Sequence, residues 1–303
     1  MTGEAFSPPA RLRSALYVPG DKPRAIAKAQ DLGADALILD LEDAVAPEAK
    51  HAARAAAPDA ITAFRKAGAY SVLRICAPGE TGHEADLACA AAARPDAVLA
   101  AKAEDAGALA QVRQRLQSQG WSGPLWLMIE TPLGMYLADR MATDRSLVHV
   151  LGASVMVAGS NDLAEGLRLP EGAGRRAALL PHLSRLVLAA RVAGLGVLDG
   201  VWNAYGDEDG FRAEAAEGRA MGFDGKTLIH PSQAGPCHDV FAPSPDEIAR
   251  ARAIIAAFAA PGAAGRGALA FRGGMIERLH LDAARLTLAA AGLDPDQAHT
   301  GES

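Results

Sequence analysis

The sequence predicts a (β/α)₈ TIM barrel with a C-terminal helical extension, and three observations carry that prediction. Eight short runs rich in valine, isoleucine and leucine recur along the chain, alanine-rich helical stretches dotted with charge separate them, and no G-x-G-x-x-G follows the first run. The first two features mark βα units closing a parallel sheet, and the third argues against an open dinucleotide-binding sheet. With 303 residues and 50% hydrophobic content, the chain can bury one large core.

The runs, in order, are "SALYVPG" from Ser14, "DALILDLED" from Asp35, "YSVLRICAP" from Tyr70, "DAVLAAKAE" from Asp96, "LWLMIET" from Leu125, "VMVAGSNDLA" from Val155, "LGVLDGVW" from Leu195 and "GKTLIHPSQ" from Gly225. They begin at intervals of roughly 20 to 40 residues, enough for a strand, a helix and two loops in each βα unit. Beyond the eighth, "SPDEIARARAIIAAFAA" opens on a Ser244 cap with Asp246 and Glu247 in its first turn, the start of a helix. A glycine-rich link, "PGAAGRGALAF", leads to "MIERLHLDAARLTLAAAG", where Ile276, Leu279, Ala283, Leu286 and Ala290 recur at helical spacing and predict a second helix. The expected organisation is a loose arm over residues 1–12, a catalytic barrel over 13–243 and a helical extension over 244–303.

A net charge of −6 supplies no basic surface for nucleic acid or an anionic membrane. Cys76, Cys89 and Cys237 are far apart and form no C-x-x-C pair, so neither a disulfide framework nor a zinc site is expected. No apolar signal core opens the sequence and no window of about 18 apolar residues occurs, so the expected location is the cytoplasm.

Polar residues at the C-terminal ends of barrel strands have a functional reading, because that face builds the active site. Asp40, Glu42 and Asp43 end the second strand, Arg74 the third, Lys102 the fourth, Glu130 the fifth, Asn161 and Asp162 the sixth, Asp199 the seventh and His230 the eighth. Each has a structural alternative: "DLEDAVAP" as a helix-capping turn, Asp199 as the start of a turn with Gly200, His230 as a packed histidine. Glu130 and Asp162 have no basic neighbour in sequence and so call for a cation. Oxygen ligands favour Mg²⁺, which would chelate an oxo or hydroxy acid while Arg74 holds a substrate carboxylate. Lys22, Arg24 and Lys28 on the first loop suit a phosphate or a solvated helix start.

Together "RSALYVPGDKPRAIAKA", "ADALILDLEDAVAPEAK", "MIETPLG", "GSNDLA" and "GFDGKTLIHPSQ" closely resemble the citrate lyase β-subunit-like proteins of the HpcH/HpaI aldolase superfamily. The resemblance implies a TIM barrel, a homotrimer or homohexamer, and Mg²⁺-dependent cleavage or formation of C–C bonds in acyl-CoA compounds such as malyl-CoA. Related members hydrolyse malyl-CoA at the thioester. It places the metal ligands on Glu130 and Asp162 and the carboxylate-binding arginine on Arg74. It also implies CoA and substrate contacts at Tyr17, Lys22 and Lys28, acyl contacts by the backbone around Asn161 and the Asp199-Gly200 turn, and an outer role for Glu42 and Asp43 in orienting metal-bound water.

Two departures stand out. The arginine strand, R-x-N in relatives, reads "RIC" with Cys76, and the tail motif, often M-I-D, reads "MIE", placing Glu277 where a catalytic aspartate from a neighbouring subunit is expected. The leading expectation is an acyl-CoA lyase acting on malyl-CoA or a similar β-hydroxy thioester, with a (3S)-malyl-CoA thioesterase as the alternative.

Overall fold

The computed structural model describes residues 6–294 except 173 and 264; the ends of the expected arm and extension, 1–5 and 295–303, lie outside the described residues. The chain divides into two compact units after Phe241. In the first, strands β1 (Ser14–Pro19), β2 (Ala36–Asp40), β3 (Tyr70–Ile75), β4 (Ala97–Ala100), β5 (Leu125–Ile129), β6 (Ala153–Ala158), β7 (Gly196–Asp199) and β8 (Gly225–Leu228) close in sequence order into a barrel. Every pairing is parallel, and β8 returns to β1 with Lys226 beside Ser14.

The helices between them are α1 (Pro23–Ala29), α2 (Lys50–Lys66), α3 (His83–Ala93), α4 (Ala106–Ser118), α5 (Pro132–Thr143), α6 (Arg145–Leu151), α7 (Ser160–Gly166), α8 (Arg175–Ala193), α9 (Glu208–Met221) and α10 (Ala234–Phe241). The strands read as continuous apolar runs because both faces are buried. Ile38, Val72, Leu99, Trp126 and Val157 pack together in one core cluster, while Leu37, Leu73, Val98, Leu127 and Met156 join a second with helix residues such as Phe64 and Leu116. Consecutive residues of one strand thus enter different clusters, as the period-two alternation of a strand requires.

Local capping explains how a strand can end on a charge and turn at once into a helix. After β5 and Glu130, Thr131 accepts the Gly134 N–H at 2.9 Å through its side chain, and Pro132 starts α5, satisfying one free donor where proline has none to satisfy. In the described part of the arm expected over residues 1–12, Ser7, Ala10 and Arg11 are exposed while two residues contact the barrel. Leu12 is buried and the Phe6 ring lies 5.0 Å from the Arg113 guanidinium; an apolar side chain and an aromatic face gain more against the barrel than in water. Among the described residues no helix is long and apolar enough to cross a membrane.

In the second unit, α11 (Pro245–Ala259) begins at the expected Ser244 cap, which accepts the Glu247 N–H at 3.2 Å. The glycine-rich link contains β9 (Ala268–Phe271), which pairs antiparallel with β10 (Gly274–Glu277). Consequently the second helix, α12 (Arg278–Ala290), starts three residues after Met275, where helical spacing placed its beginning. The cause is the two-residue turn Arg272-Gly273, with φ of 47° and 81°, which matches the twist of a tight hairpin. Ile254, Ile255, Ile276, Leu281 and Leu288 form this unit's core.

Candidate active site

Strand register assembles the centre of the barrel mouth. Asp40 on β2 sits opposite Arg74 on β3, and the guanidinium grips it with both prongs, Nε to Oδ1 at 2.8 Å and Nη2 to Oδ2 at 2.6 Å. This forked geometry is the one arginine makes best. The remaining nitrogen, Nη1, meets Glu42 at 2.8 Å, and the Tyr17 ring centroid lies 4.8 Å from the guanidinium carbon. Asp40 also accepts the backbone N–H groups of Glu42 at 2.9 Å and Ala44 at 3.3 Å. The segment "DLEDAVAP" is therefore both a turn, organised by Asp40, and a contributor of charge to the mouth. Burial opposes the Arg74 charge, but Asp40, Tyr17 and Glu42 outweigh it and hold its pKa well above the usual value.

Glu130 is 1% exposed. Its Oε1 accepts the Lys102 backbone N–H at 2.6 Å, and a Cβ at Gly159 would collide with its side chain, so the glycine makes its room. Burial pushes the Glu130 carboxyl up to about 7; the Lys102 N–H and Arg74 pull it down, and Asp162, in the first turn of α7, pushes it up further. Glu42 is driven up to about 8 by burial and by repulsion from Asp43 and Glu130, against the pull of Arg74.

Among the described residues no group of three or more His, Cys, Asp or Glu side chains is arranged to hold a metal ion. The pair Glu130 and Asp162 nevertheless fits one Mg²⁺. Both offer hard oxygen donors, the charge of one raises the pKa of the other, and two carboxylates leave positions for water and substrate oxygens. A cation there would offset the burial and the repulsion from Asp162 that push the Glu130 carboxyl up.

A cavity of about 280 Å³ opens over this cluster, lined by Tyr17, Asp40, Asp43, Arg74, Asn161 and Asp162 among others. Asn161 exchanges amide hydrogen bonds with Asn203 at 2.8 and 3.3 Å, tying the first turn of α7 to the loop after β7. Tyr17, Asp43, Arg74, Asn161 and Asp162 thus share the cavity lining, with Glu42 against Arg74 and Glu130 against the Lys102 N–H beside it.

Other expected residues stand apart. Lys22 pairs with Asp21 at 2.6 Å, and both Lys22 and Lys28 are exposed and outside the cavity lining. The Asp199 carboxylate is turned into a buried ion network with Arg176 at 2.8 Å and Lys226 at 3.1 Å; the acyl contact expected at the Asp199-Gly200 turn is one of its backbone and does not depend on that side chain. Burial raises its pKa less than those two cations lower it. Gly200 donates its N–H to Asp199 at 2.8 Å. His230 stacks on Tyr205 with centroids 4.6 Å apart and meets Ser232 at 2.8 Å, the packed alternative. The Cys76 thiol receives the Lys50 amine at 3.0 Å and lies outside the cavity lining; burial pushes it up to about 11. Glu277 belongs to the second unit, where its backbone N–H donates to His280 Nδ1 at 2.9 Å.

Sequence reasoning placed Asp40 at a strand end without seeing that it anchors Arg74, and it saw Lys102 only as a side chain. No local signal marks either role, since one comes from strand register and the other from a backbone angle.

A closed (β/α)₈ barrel with an arginine and several carboxylates gathered at the C-terminal strand ends has the layout of barrel enzymes, whose active sites are built on that face. Comparison with known proteins narrows the class. The profile of the HpcH/HpaI aldolase/citrate lyase family matches residues 13–231, and the chain belongs to that family. It is 42% identical to a (3S)-malyl-CoA thioesterase of Cereibacter sphaeroides, over 92% of this chain and 94% of the relative. It is 36% identical to a citrate lyase subunit beta-like protein of Deinococcus radiodurans, over 93% and 98%. Among solved structures, CitE from Mycobacterium tuberculosis in complex with magnesium, acetoacetate and coenzyme A superposes with a TM-score of 0.73 at 31% identity, covering 93% of this chain and 99% of that one.

Proposed function

We propose that this protein hydrolyses CoA thioesters of β-hydroxy dicarboxylic acids, malyl-CoA being the type substrate. The observation that carries the reading is the buried pairing of Arg74 with carboxylates beside Glu130, over a cavity sized for a small acyl group. The 42% identity to a malyl-CoA thioesterase supports hydrolysis over cleavage of a C–C bond. Lyase chemistry is the second reading, favoured by the family match and by the citrate lyase relatives.

In this reading Arg74 binds the substrate's free carboxylate. Asp40 keeps two of its nitrogens, and the substrate displaces Glu42 from the third. Glu130 and Asp162 hold Mg²⁺, which when bound polarises substrate oxygens as a Lewis acid. Asp43 and Glu42 orient water at the cluster, and Tyr17 covers the guanidinium face. Lys22 and Lys28 attract the CoA phosphates from outside the cavity. A water adds to the thioester carbonyl carbon, the C–S bond breaks, and the sulfur leaves as the CoA thiol with the proton the water gives up. Glu277 is our candidate for the carboxylate that takes that proton, supplied by the tail of a neighbouring subunit in a homotrimer or homohexamer.

The deciding experiment incubates (3S)-malyl-CoA with enzyme and Mg²⁺ and follows products. Malate with free CoA is the expected result. Glyoxylate with acetyl-CoA would replace this reading by the lyase one, and no turnover of either kind would remove both.

A further inference from the structure

Among the described residues, Arg94, Lys102, Arg168 and Arg272 have positive φ without being glycine. Three are accounted for by position. Arg94 closes α3, Arg168 follows the last turn of α7 with its N–H on the Glu165 carbonyl, and Arg272 occupies the hairpin turn. Lys102, with φ of 46°, ends no helix and turns no hairpin. It lies just beyond β4, and the chain on either side is tied to the barrel: the Ala101 N–H reaches the Ile75 carbonyl at 3.5 Å and the Ala103 N–H the Met128 carbonyl at 3.0 Å. Between these anchors the left-handed residue aims its own N–H inward at Glu130 Oε1, 2.6 Å away. Strained backbone of this kind persists only where the surroundings impose it, and it concentrates at functional sites.

The side chain does something separate. The Lys102 amine bonds Glu80 at 2.7 Å and reaches Glu42 at 3.9 Å, at the rim of the mouth. The backbone N–H, by contrast, meets a fully buried carboxylate whose other side is bounded by Gly159.

We propose that Lys102 is a positioning residue whose left-handed backbone, and not its amine, fixes the Glu130 carboxylate in place as a ligand for the divalent cation. The proposal deepens the functional reading above and rests on it for the cation, while the hydrogen bond itself can be tested without metal.

Three variants remove the amine and differ in backbone preference. Lys102→Gly and Lys102→Asn accept the left-handed region, whereas Lys102→Val resists it. In metal-free protein, the residue 102 amide proton is expected well downfield by NMR in wild type and in the Gly and Asn variants. It should move upfield in Lys102→Val and in Glu130→Gln. Calorimetric titration with Mg²⁺ alone should give Gly and Asn variants within about twofold of wild type, because neither must leave the left-handed region. Lys102→Val should bind about tenfold more weakly or worse, the scale of losing a group behind a metal ligand.

Equal loss of Mg²⁺ affinity in all three variants would assign the effect to the amine and overturn the proposal, as would undiminished affinity in a folded Lys102→Val. If wild type takes up no Mg²⁺, the metal reading of Glu130 and Asp162 fails, and the amide pattern alone decides: an unshifted amide in Lys102→Val overturns the positioning role. Should circular dichroism show Lys102→Val unfolded, Lys102→Ala takes its place with the same expectations in weaker form.

Discussion

Two buried charge clusters of this barrel start from the same ingredient, an acid at the end of a strand, and reach opposite states. Asp199 at the end of β7 meets Arg176 at 2.8 Å and Lys226 at 3.1 Å, and those cations lower its pKa despite burial. Around Arg74, one guanidinium faces Asp40, Glu42 and Asp43, with Glu130 and Asp162 beyond, and two of these acids are pushed up to about 7 and 8. The first cluster is balanced and serves the scaffold. The second holds surplus negative charge beside a cavity, which is the condition a bound cation can resolve.

The widest break in this comparison should come from exchanging the fates of the two acids. Asp199→Ala leaves Lys226, which is 0% exposed, beside a depleted set of partners, and should cost about 3 to 5 kcal/mol of folding stability, the scale for breaking a buried pair. Glu130→Gln should leave stability unchanged or higher, because it removes a charge that burial disfavours, while activity falls at least the roughly 100-fold that losing a group behind a metal ligand costs. Urea denaturation and product assays on both variants check this, and a large stability loss in Glu130→Gln would erase the distinction. Next in size, Arg74→Lys removes the forked contact with Asp40 and the proposed Nη1 contact with substrate, and kcat/KM should fall by about 2 to 4 kcal/mol of transition-state binding.

The clusters should also respond to pH with opposite signs. Glu42 and Glu130 are raised from an ordinary 4.5 to about 8 and about 7, so across that interval the folded state binds more protons than the unfolded one. Metal-free stability from these groups is therefore fully present below about pH 4.5 and declines as pH rises toward 8. The lowered Asp199 does the reverse: its contribution is present above its unfolded pKa of 3.8 and is lost as pH falls through the lower folded value. If Mg²⁺ binds Glu130 in its ionised form, as proposed, it should raise Tm more at pH 8 than at pH 5.5. Equal stabilisation by Mg²⁺ at both pH values would show that the ion sits elsewhere.

All eight strands were legible in the sequence, because burial on both faces leaves an apolar run that polar residues end abruptly. The acids at those ends were legible too, but their fates were not. Asp199 and Glu130 look alike in sequence; what separates them is Lys226, 27 residues away in the chain and one strand over. Asp40 and Arg74 are joined by a register that no local pattern encodes. The start of α12 was misplaced because Met275 and Ile276 suit either periodicity, and the turn at Arg272-Gly273 decided for a strand.

The smallest predicted effect concerns cations that belong to neither cluster. Lys22 has 62% of its side chain exposed, and Lys28 is exposed in the last turn of α1, so water already screens both and neither can contribute much to a contact. If they attract CoA phosphates, each should be worth only about 0.2 to 1 kcal/mol, and Lys22→Ala should raise KM for malyl-CoA by a few-fold without changing kcat. Salt should diminish the difference, since the Debye length shortens from about 10 Å at 0.1 M to about 3 Å at 1 M. A truncated thioester, malyl-N-acetylcysteamine, has no phosphates, so wild type and Lys22→Ala should have the same KM for it at any salt. A deficit with the truncated substrate would place Lys22 in the acyl site. An unchanged KM with malyl-CoA at low salt would remove it from the binding surface, leaving the buried cluster around Arg74 as the source of the affinity for the anionic substrate.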